Sequence, residues 1–277
     1  MNARKVFIIV LLLSYTNTFA DTNATIQNDS TKSSMISTTE SNTTNEISTN
    51  IGDTTSFDEE FGDVNKTAVF DPFSGYNKFM TNVNDKFYKN IAEPIAMGYS
   101  KILPEKARIS VNNFIHHLRF PIRLANNLLQ FKIKNSAEET GRFVVNTIFG
   151  LGGFFDPAKT DLGWERHDED LGQTLGFYGL PEGPYIVLPI LGSSNLRDTV
   201  GLAGDTYISP LNSADADNIW YKIPQNTTQD ILIGGVEVIN KTSLHLGEYD
   251  LIKKDALDLY AFLRDAYTQQ RRQKIKE

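Results

Sequence analysis

Asn135-Ser-Ala-Glu-Glu-Thr140-Gly-Arg142-Phe-Val-Val-Asn146-Thr-Ile-Phe-Gly150-Leu-Gly152-Gly153-Phe-Phe-Asp156-Pro157 is the stretch that settles the fold class. Its first half has helical spacing. Asn135 or Ser136 stands as the cap, Glu138 and Glu139 fall in a first turn whose dipole favours acids, and Phe143, Val144, Thr147 and Ile148 share the face expected to be buried. Gly150 stops the helix, and Asp156 ahead of Pro157 has the pattern of a cap opening another.

The same punctuation runs outward in both directions. A first helix is expected over 76–91, Pro94 opens the next, and Pro104 and Pro121 sit in first turns that tolerate a missing donor. Ile122, Leu124, Ala125, Leu128 and Leu129 line one face of an amphipathic helix over 122–131. Downstream, glycines at 172, 176, 179 and 183 recur too often for a stable helix, and Tyr185-Ile-Val-Leu188 between Pro184 and Pro189 reads as a short strand or extended loop. Residues 231–239 are apolar on nearly all sides, which predicts burial or contact with lipid. Ala256, Tyr260, Leu263 and Tyr267 stripe a terminal helix that ends in Arg271, Arg272, Lys274 and Lys276, as its dipole favours. The fold class is therefore mainly α: a single helical domain over 71–277 with Gly/Pro-rich loops.

Ahead of that domain the composition changes twice. Residues 1–20 carry Arg4 and Lys5, an apolar run from Val6 to Leu13 and a polar end at Ala20, the pattern of a cleaved secretory signal peptide. Eight apolar residues are far short of the ~20 that span a bilayer. The chain has no cysteine, so it has neither a disulfide nor a cysteine to lipidate.

Residues 21–70 hold 24 Ser, Thr or Asn and no apolar period, which predicts a disordered tail with an end-to-end distance of roughly 40 Å. Asn23, Asn42 and Asn65 stand in sequons with an acid two residues upstream, resembling the extended acceptor of bacterial N-glycosylation. A Ser/Thr/Asn-rich tail also produces such triplets by chance, as Asn28-Asp-Ser30 shows. Removing Arg4 and Lys5 takes the formal net charge from −7 to −9, and the tail holds nine acids against Lys32 and Lys66, which leaves the folded part at −2. So near-neutral a domain offers no basic stripe to replace phosphate counterions, and nucleic acid is not expected as a partner.

Catalytic chemistry is hard to find. Gly150-Leu-Gly152-Gly153 lacks the Lys-Ser/Thr of a phosphate loop, and Gly192-Ser-Ser-Asn195 lacks the second glycine of a nucleophile elbow. Adjacent His116 and His117 point to different sides of a helix and are expected on a solvated face. His167-Asp-Glu-Asp170 lacks the glycine and terminal glutamate of a calcium loop and is expected to be a solvated turn. No catalytic residue, metal site or cofactor is assigned, and the chain is not expected to be an enzyme.

Six ordered motifs do form a pattern: Asp71-Pro-Phe-Ser-Gly-Tyr-Asn77, Arg142 through Asp156, Gly172-Gln-Thr-Leu-Gly-Phe-Tyr-Gly179, Gly183-Pro184-Tyr185-Ile-Val-Leu-Pro189, Arg197-Asp198 and Arg264-Asp-Ala-Tyr267. Together they resemble the MlaA (VacJ) family of outer-membrane phospholipid transport proteins over nearly all of 71–270. The resemblance implies a helical ring in the inner leaflet of the outer membrane around an amphipathic channel. Through it, misplaced phospholipid passes to a soluble periplasmic carrier, beside a trimeric porin, so that lipid asymmetry is maintained. Carried over by motif, Asp71, Asn77, Gly152, Gly153, Asp156, Gly183, Pro184, Tyr185, Arg197 and Asp198 are the positions that shape the channel. Each also has a purely structural reading, such as a local ion pair between Arg197 and Asp198.

One departure stands out. Many members are held by a lipidated cysteine, and this chain has none. Either it embeds through its own apolar surface and a porin, or it is partly soluble in the periplasm. The alternative function is a porin-associated structural adaptor without lipid flux.

Overall fold

The computed structural model describes residues 69–277; the expected signal peptide, the tail as far as residue 68 and the three sequons lie outside them. In chain order the elements are α1 (Ser74–Phe87), a π turn (Tyr88–Ala92), α2 (Glu93–Ile102), α3 (Glu105–Leu118), α4 (Phe120–Leu129), α5 (Ile133–Ile148), α6 (Pro157–Thr160), α7 (Leu171–Phe177), β1 (Tyr185–Leu188), β2 (Gly192–Asn195), α8 (Leu196–Ile208), α9 (Thr227–Leu244), α10 (Glu248–Asp255) and α11 (Leu259–Lys276). The expectation of a mainly helical domain holds, with β1 and β2 as an antiparallel ribbon in the register Tyr185↔Asn195 to Leu188↔Gly192.

Several boundaries differ from the sequence reading, each for a local reason. The first helix starts at Ser74 and does not end at 91: Pro94 lacks a donor near the start of α2, and the preceding backbone widens into a π turn that carries α1 into α2 unbroken. Pro104 is the cap residue of α3, not a first-turn residue. Lys132, not Asn135 or Ser136, stands at the start of α5, and Ser136 Oγ instead donates to Lys132 O inside the helix (3.0 Å). Ala256 lies outside α11, because Asp258 caps that helix by accepting from the backbone N–H of Tyr260 and Ala261.

The glycine-rich segment over 171–177 is a helix after all. Its glycines serve close packing: a Cβ on Gly201 of α8 would come within 2.3 Å of Gly172 N, so α7 and α8 touch backbone to backbone.

The largest correction concerns which way the helices face. On α5 the residues turned inward are Ser136, Glu139, Arg142 and Asn146, while Val144 and Ile148, expected to be buried, are exposed. On α4, Arg123, Asn126 and Asn127 are buried and Leu128 and Leu129 face out. α9 repeats the pattern: Asp230, Gly234, Glu237 and Asn240 point in, and Ile231, Leu232 and Val236 point out. Among the described residues, polar and charged side chains outnumber apolar ones in the interior. In water this arrangement forfeits the hydrophobic effect. With hydrocarbon outside, the apolar faces are solvated and the polar ones satisfied within the protein.

A conventional apolar core survives in one place. Tyr185 and Val187 of β1 pack with Tyr260 and Tyr267 of α11, flanked by Val69 and Met80. α1 is stitched to this ribbon by two amides spaced two turns apart. Asn77 Nδ2 donates to Tyr185 O (3.0 Å) and Val187 N donates back to Asn77 Oδ1 (2.8 Å). Asn84 does the same with Leu188 O (2.9 Å) and Ile190 N (2.7 Å). The two asparagines thus satisfy an edge that a third strand would otherwise cover.

Candidate functional site

A cavity of about 200 Å³ lies among α3, α4, the 168–173 segment, the β ribbon, α8, α9 and α11. One part of its wall is apolar, with Ile122, Leu188, Leu191, Leu202 and Ile233; the remainder is mostly polar or charged. Arg119 donates to Glu237 (2.6 Å), Arg123 lies 3.8 Å from Asp168, and Arg271 bridges Asp170 (2.5 Å) and Asp198 (2.7 Å). Tyr267 Oη adds a 2.5 Å hydrogen bond to Asp198. Burial and the neighbouring Arg123 charge lower the His116 pKa to about 3, so at neutral pH the uncharged ring donates from Nε2 to Asp168 (2.8 Å).

Behind this wall a second network ties α4 and α5 to the loop that follows them. Arg123 donates to Glu139 (2.8 Å), which also accepts from His167 N (2.9 Å). Asp156 receives a two-pronged contact from Arg142 (2.9 and 2.8 Å), one bond from Asn146 (2.8 Å) and one from Arg166 (3.0 Å). Burial alone would raise the Asp156 pKa; the Asn146 hydrogen bond and the Arg142 and Arg166 charges outweigh it and hold the carboxyl down at about 2.

The ten sequence-selected positions separate into four groups. Asp71, Asn77 and Tyr185 meet at the α1–ribbon–α11 junction, where Asp71 accepts from Asn77 (2.7 Å) and from the Tyr260 hydroxyl. Gly183 and Pro184 form the turn into β1, with Pro184 O accepting from Leu196 N (3.1 Å). Gly152, Gly153 and Asp156 shape the loop after α5; a Cβ on Gly153 would strike the His117 ring at 2.3 Å. Arg197 pairs locally with Asp198 (2.9 Å), and of the ten only Asp198 lines the cavity.

Several cavity residues were not singled out by sequence: Arg119, Arg123, Asp205 and Glu237 among them. For Arg123 and Glu237 the signal was present, since each interrupts an apolar stretch with a charge. Two expectations of solvated residues fail here. His117 is buried and stacked on Phe143, with ring centroids 4.5 Å apart, and in the 167–170 turn Glu169 is buried while Asp168 stays exposed. In that turn, Glu169 pairs with Lys132 (2.6 Å), while Asp170 caps α7 and holds Arg271.

Comparison with known proteins gives this arrangement a family. Residues 69–274 match the family model described as MlaA lipoprotein. The chain is 32% identical over 202 residues to the "Intermembrane phospholipid transport system lipoprotein MlaA" of Escherichia coli K12, covering 72% of this chain and 76% of that one. It is 32% identical over 199 residues to an uncharacterized protein of Rickettsia prowazekii, covering 72% and 75%. A solved chain described under "Structural basis for maintenance of bacterial outer membrane lipid asymmetry" is similar with a TM-score of 0.60 at 27% identity, covering 74% of this chain and 98% of that chain. With nearly the whole described region inside the family model, the chain belongs to the MlaA lipoprotein family.

Proposed function

We propose that this chain moves phospholipid between membranes, maintaining the lipid asymmetry of the outer membrane of a Gram-negative bacterium from its periplasmic face. One observation carries the reading: an ion-paired cavity enclosed by helices whose apolar faces point outward. Moving a lipid of about 30 methylenes through water costs on the order of 20 kcal/mol at ~0.8 kcal/mol per group, which is prohibitive without an escort. A cavity charged on one part of its wall and apolar on another lowers that barrier with no bond made or broken.

The carrier that receives the lipid is a soluble periplasmic protein in this reading, and a trimeric porin is the neighbour that holds the chain in place. No helix among the described residues is long and apolar enough to cross a membrane. The apolar exterior, including Phe131, Ile148, Phe149 and Leu151, suits a protein lying in one leaflet and takes the place of the acyl anchor that the absent cysteine would bear. The ten motif positions act mainly as the frame that holds the cavity open.

The test is outer-leaflet phosphatidylethanolamine, tagged with an amine-reactive label that cannot cross the outer membrane. A deletion strain is expected to label more strongly than the wild type, and the intact gene to reverse it. Unchanged labelling, with expression confirmed in the complemented strain, would favour the structural adaptor.

A further inference from the structure

Most acids that line the cavity have a cationic or imidazole partner. Asp168 has His116, Asp170 and Asp198 share Arg271, and Glu237 has Arg119. Asp205 of α8 is different. Its side chain lines the same cavity and the residue is only 8% exposed, yet its partners are two neutral donors: Leu171 N at 2.9 Å and Asn126 Nδ2 at 3.0 Å.

Those donors are fixed in place. Asn126 Oδ1 accepts from Thr174 Oγ1 (2.8 Å), and Asn126 Nδ2 also donates to Ile122 O (3.0 Å), so its NH2 end is committed to face Asp205. Each donor occupies one lone pair of a different carboxylate oxygen, and each oxygen keeps another acceptor position. The result is a buried carboxylate oriented from behind by two neutral donors and making no ion pair; the positive charge that reaches it, Arg271, is already shared by Asp170 and Asp198.

We infer that Asp205 is the receptor for the ammonium end of a zwitterionic lipid headgroup, and that it makes the cavity prefer amine-bearing phospholipid over phospholipid of net negative charge. This rests on the transport reading above. A primary ammonium supplies both what the carboxylate lacks: a positive charge and several donors. Arg119 and Lys274 line the same cavity and bring positive charge toward the phosphate of the same headgroup. Burial and the neighbouring Asp170 push the Asp205 pKa up to about 7, in keeping with a carboxylate that ionises fully only when a cation arrives.

The experiment uses the full chain, purified in mild detergent and exchanged against vesicles of equimolar phosphatidylethanolamine, N-acetylated phosphatidylethanolamine and phosphatidylglycerol. Lipid retained on the protein is quantified by mass spectrometry. N-acetylation removes the ammonium charge and keeps the charged phosphate, so the wild-type protein alone tests the idea. It is expected to retain the free-amine lipid roughly tenfold over the acetylated one, the factor expected when one charge-assisted hydrogen bond is lost. Asp205→Asn is expected to narrow that ratio to about twofold. Equal retention of the amine and acetylated lipids by the wild type overturns the role of Asp205 and leaves transport standing. No retained lipid of any kind would instead remove the transport reading itself.

Discussion

Helix α5 and strand β1 each bury one face, and they bury opposite chemistry. α5 hides Ser136, Glu139, Arg142 and Asn146 and presents Val144 and Ile148 outward, whereas β1 hides Tyr185 and Val187 against the tyrosines of α11. The first arrangement is stable where hydrocarbon is the solvent, because there the cost falls on any polar group left unpaired. The second is the ordinary water-driven core. The cavity takes wall residues from elements on both sides, with Arg123 of α4 on one and Leu188 of β1 and Tyr267 of α11 on the other.

The sharpest way to break the comparison is to remove the acceptor that holds the inverted half together. Asp156→Ala takes the nearest carboxylate from Arg142 and Arg166, leaving Arg142, only 3% exposed, a longer 3.7 Å contact with Glu139, and is expected to cost about 3–5 kcal/mol in a denaturant titration in detergent. Acid should act through the same group. The folded-state pKa of Asp156 lies at about 2, below the ordinary 3.8, so its contribution is present above about pH 4 and fades as pH falls through 2; the variant should lack that part of the acid limb. A variant as stable as the wild type would show that the polar interior is not what holds α5 to its loop.

A smaller effect is expected in the water-type half. Asn77→Ala removes the donor to Tyr185 O and the acceptor for Val187 N, leaving two buried backbone groups of β1 unsatisfied at a cost of about 1–3 kcal/mol. Amide exchange at Val187 should rise selectively, while protection in α5 stays unchanged if the two halves are held independently. Equal loss of protection in both would mean that the ribbon and the inverted helices form one cooperative unit.

How much of this was legible follows from what each signal encodes. Helical periodicity marked α4, α5 and α11, the α9 segment stood out as apolar on nearly all sides, and the Gly/Pro clusters marked the stops and the extended run after Pro184. The direction of the faces was not legible, because a period of 3.6 residues fixes the axis between apolar and polar stripes and not the medium each one meets. The acids at 168–170 read as a solvated turn because their partners lie far off in sequence: His116, Lys132 and Arg271 come together only in the folded chain. Asp205 carried no motif, since its significance is a missing countercharge, which no local sequence expresses. The motif positions were legible as a set, and of the ten only Asp198 lines the cavity.

The last contrast concerns the outer surface of the inverted half, where substitution should scarcely disturb the fold. Ile148 at the end of α5 is 64% exposed, and Leu151, at the tip of the glycine loop with a φ of 52°, is 70% exposed. Replacing both by serine removes few internal contacts, so the denaturation midpoint in detergent should shift by less than about 0.5 kcal/mol. Membrane association should behave differently. Each side chain contributes roughly 1–2 kcal/mol when its exposed apolar area is transferred to hydrocarbon, so the pair should weaken co-flotation with vesicles by at least tenfold. Loss of stability without loss of flotation would place these residues in an ordinary interior. Loss of flotation without loss of stability is what a helix built polar side inward demands, because there the apolar face stabilises the contact with lipid and not the fold.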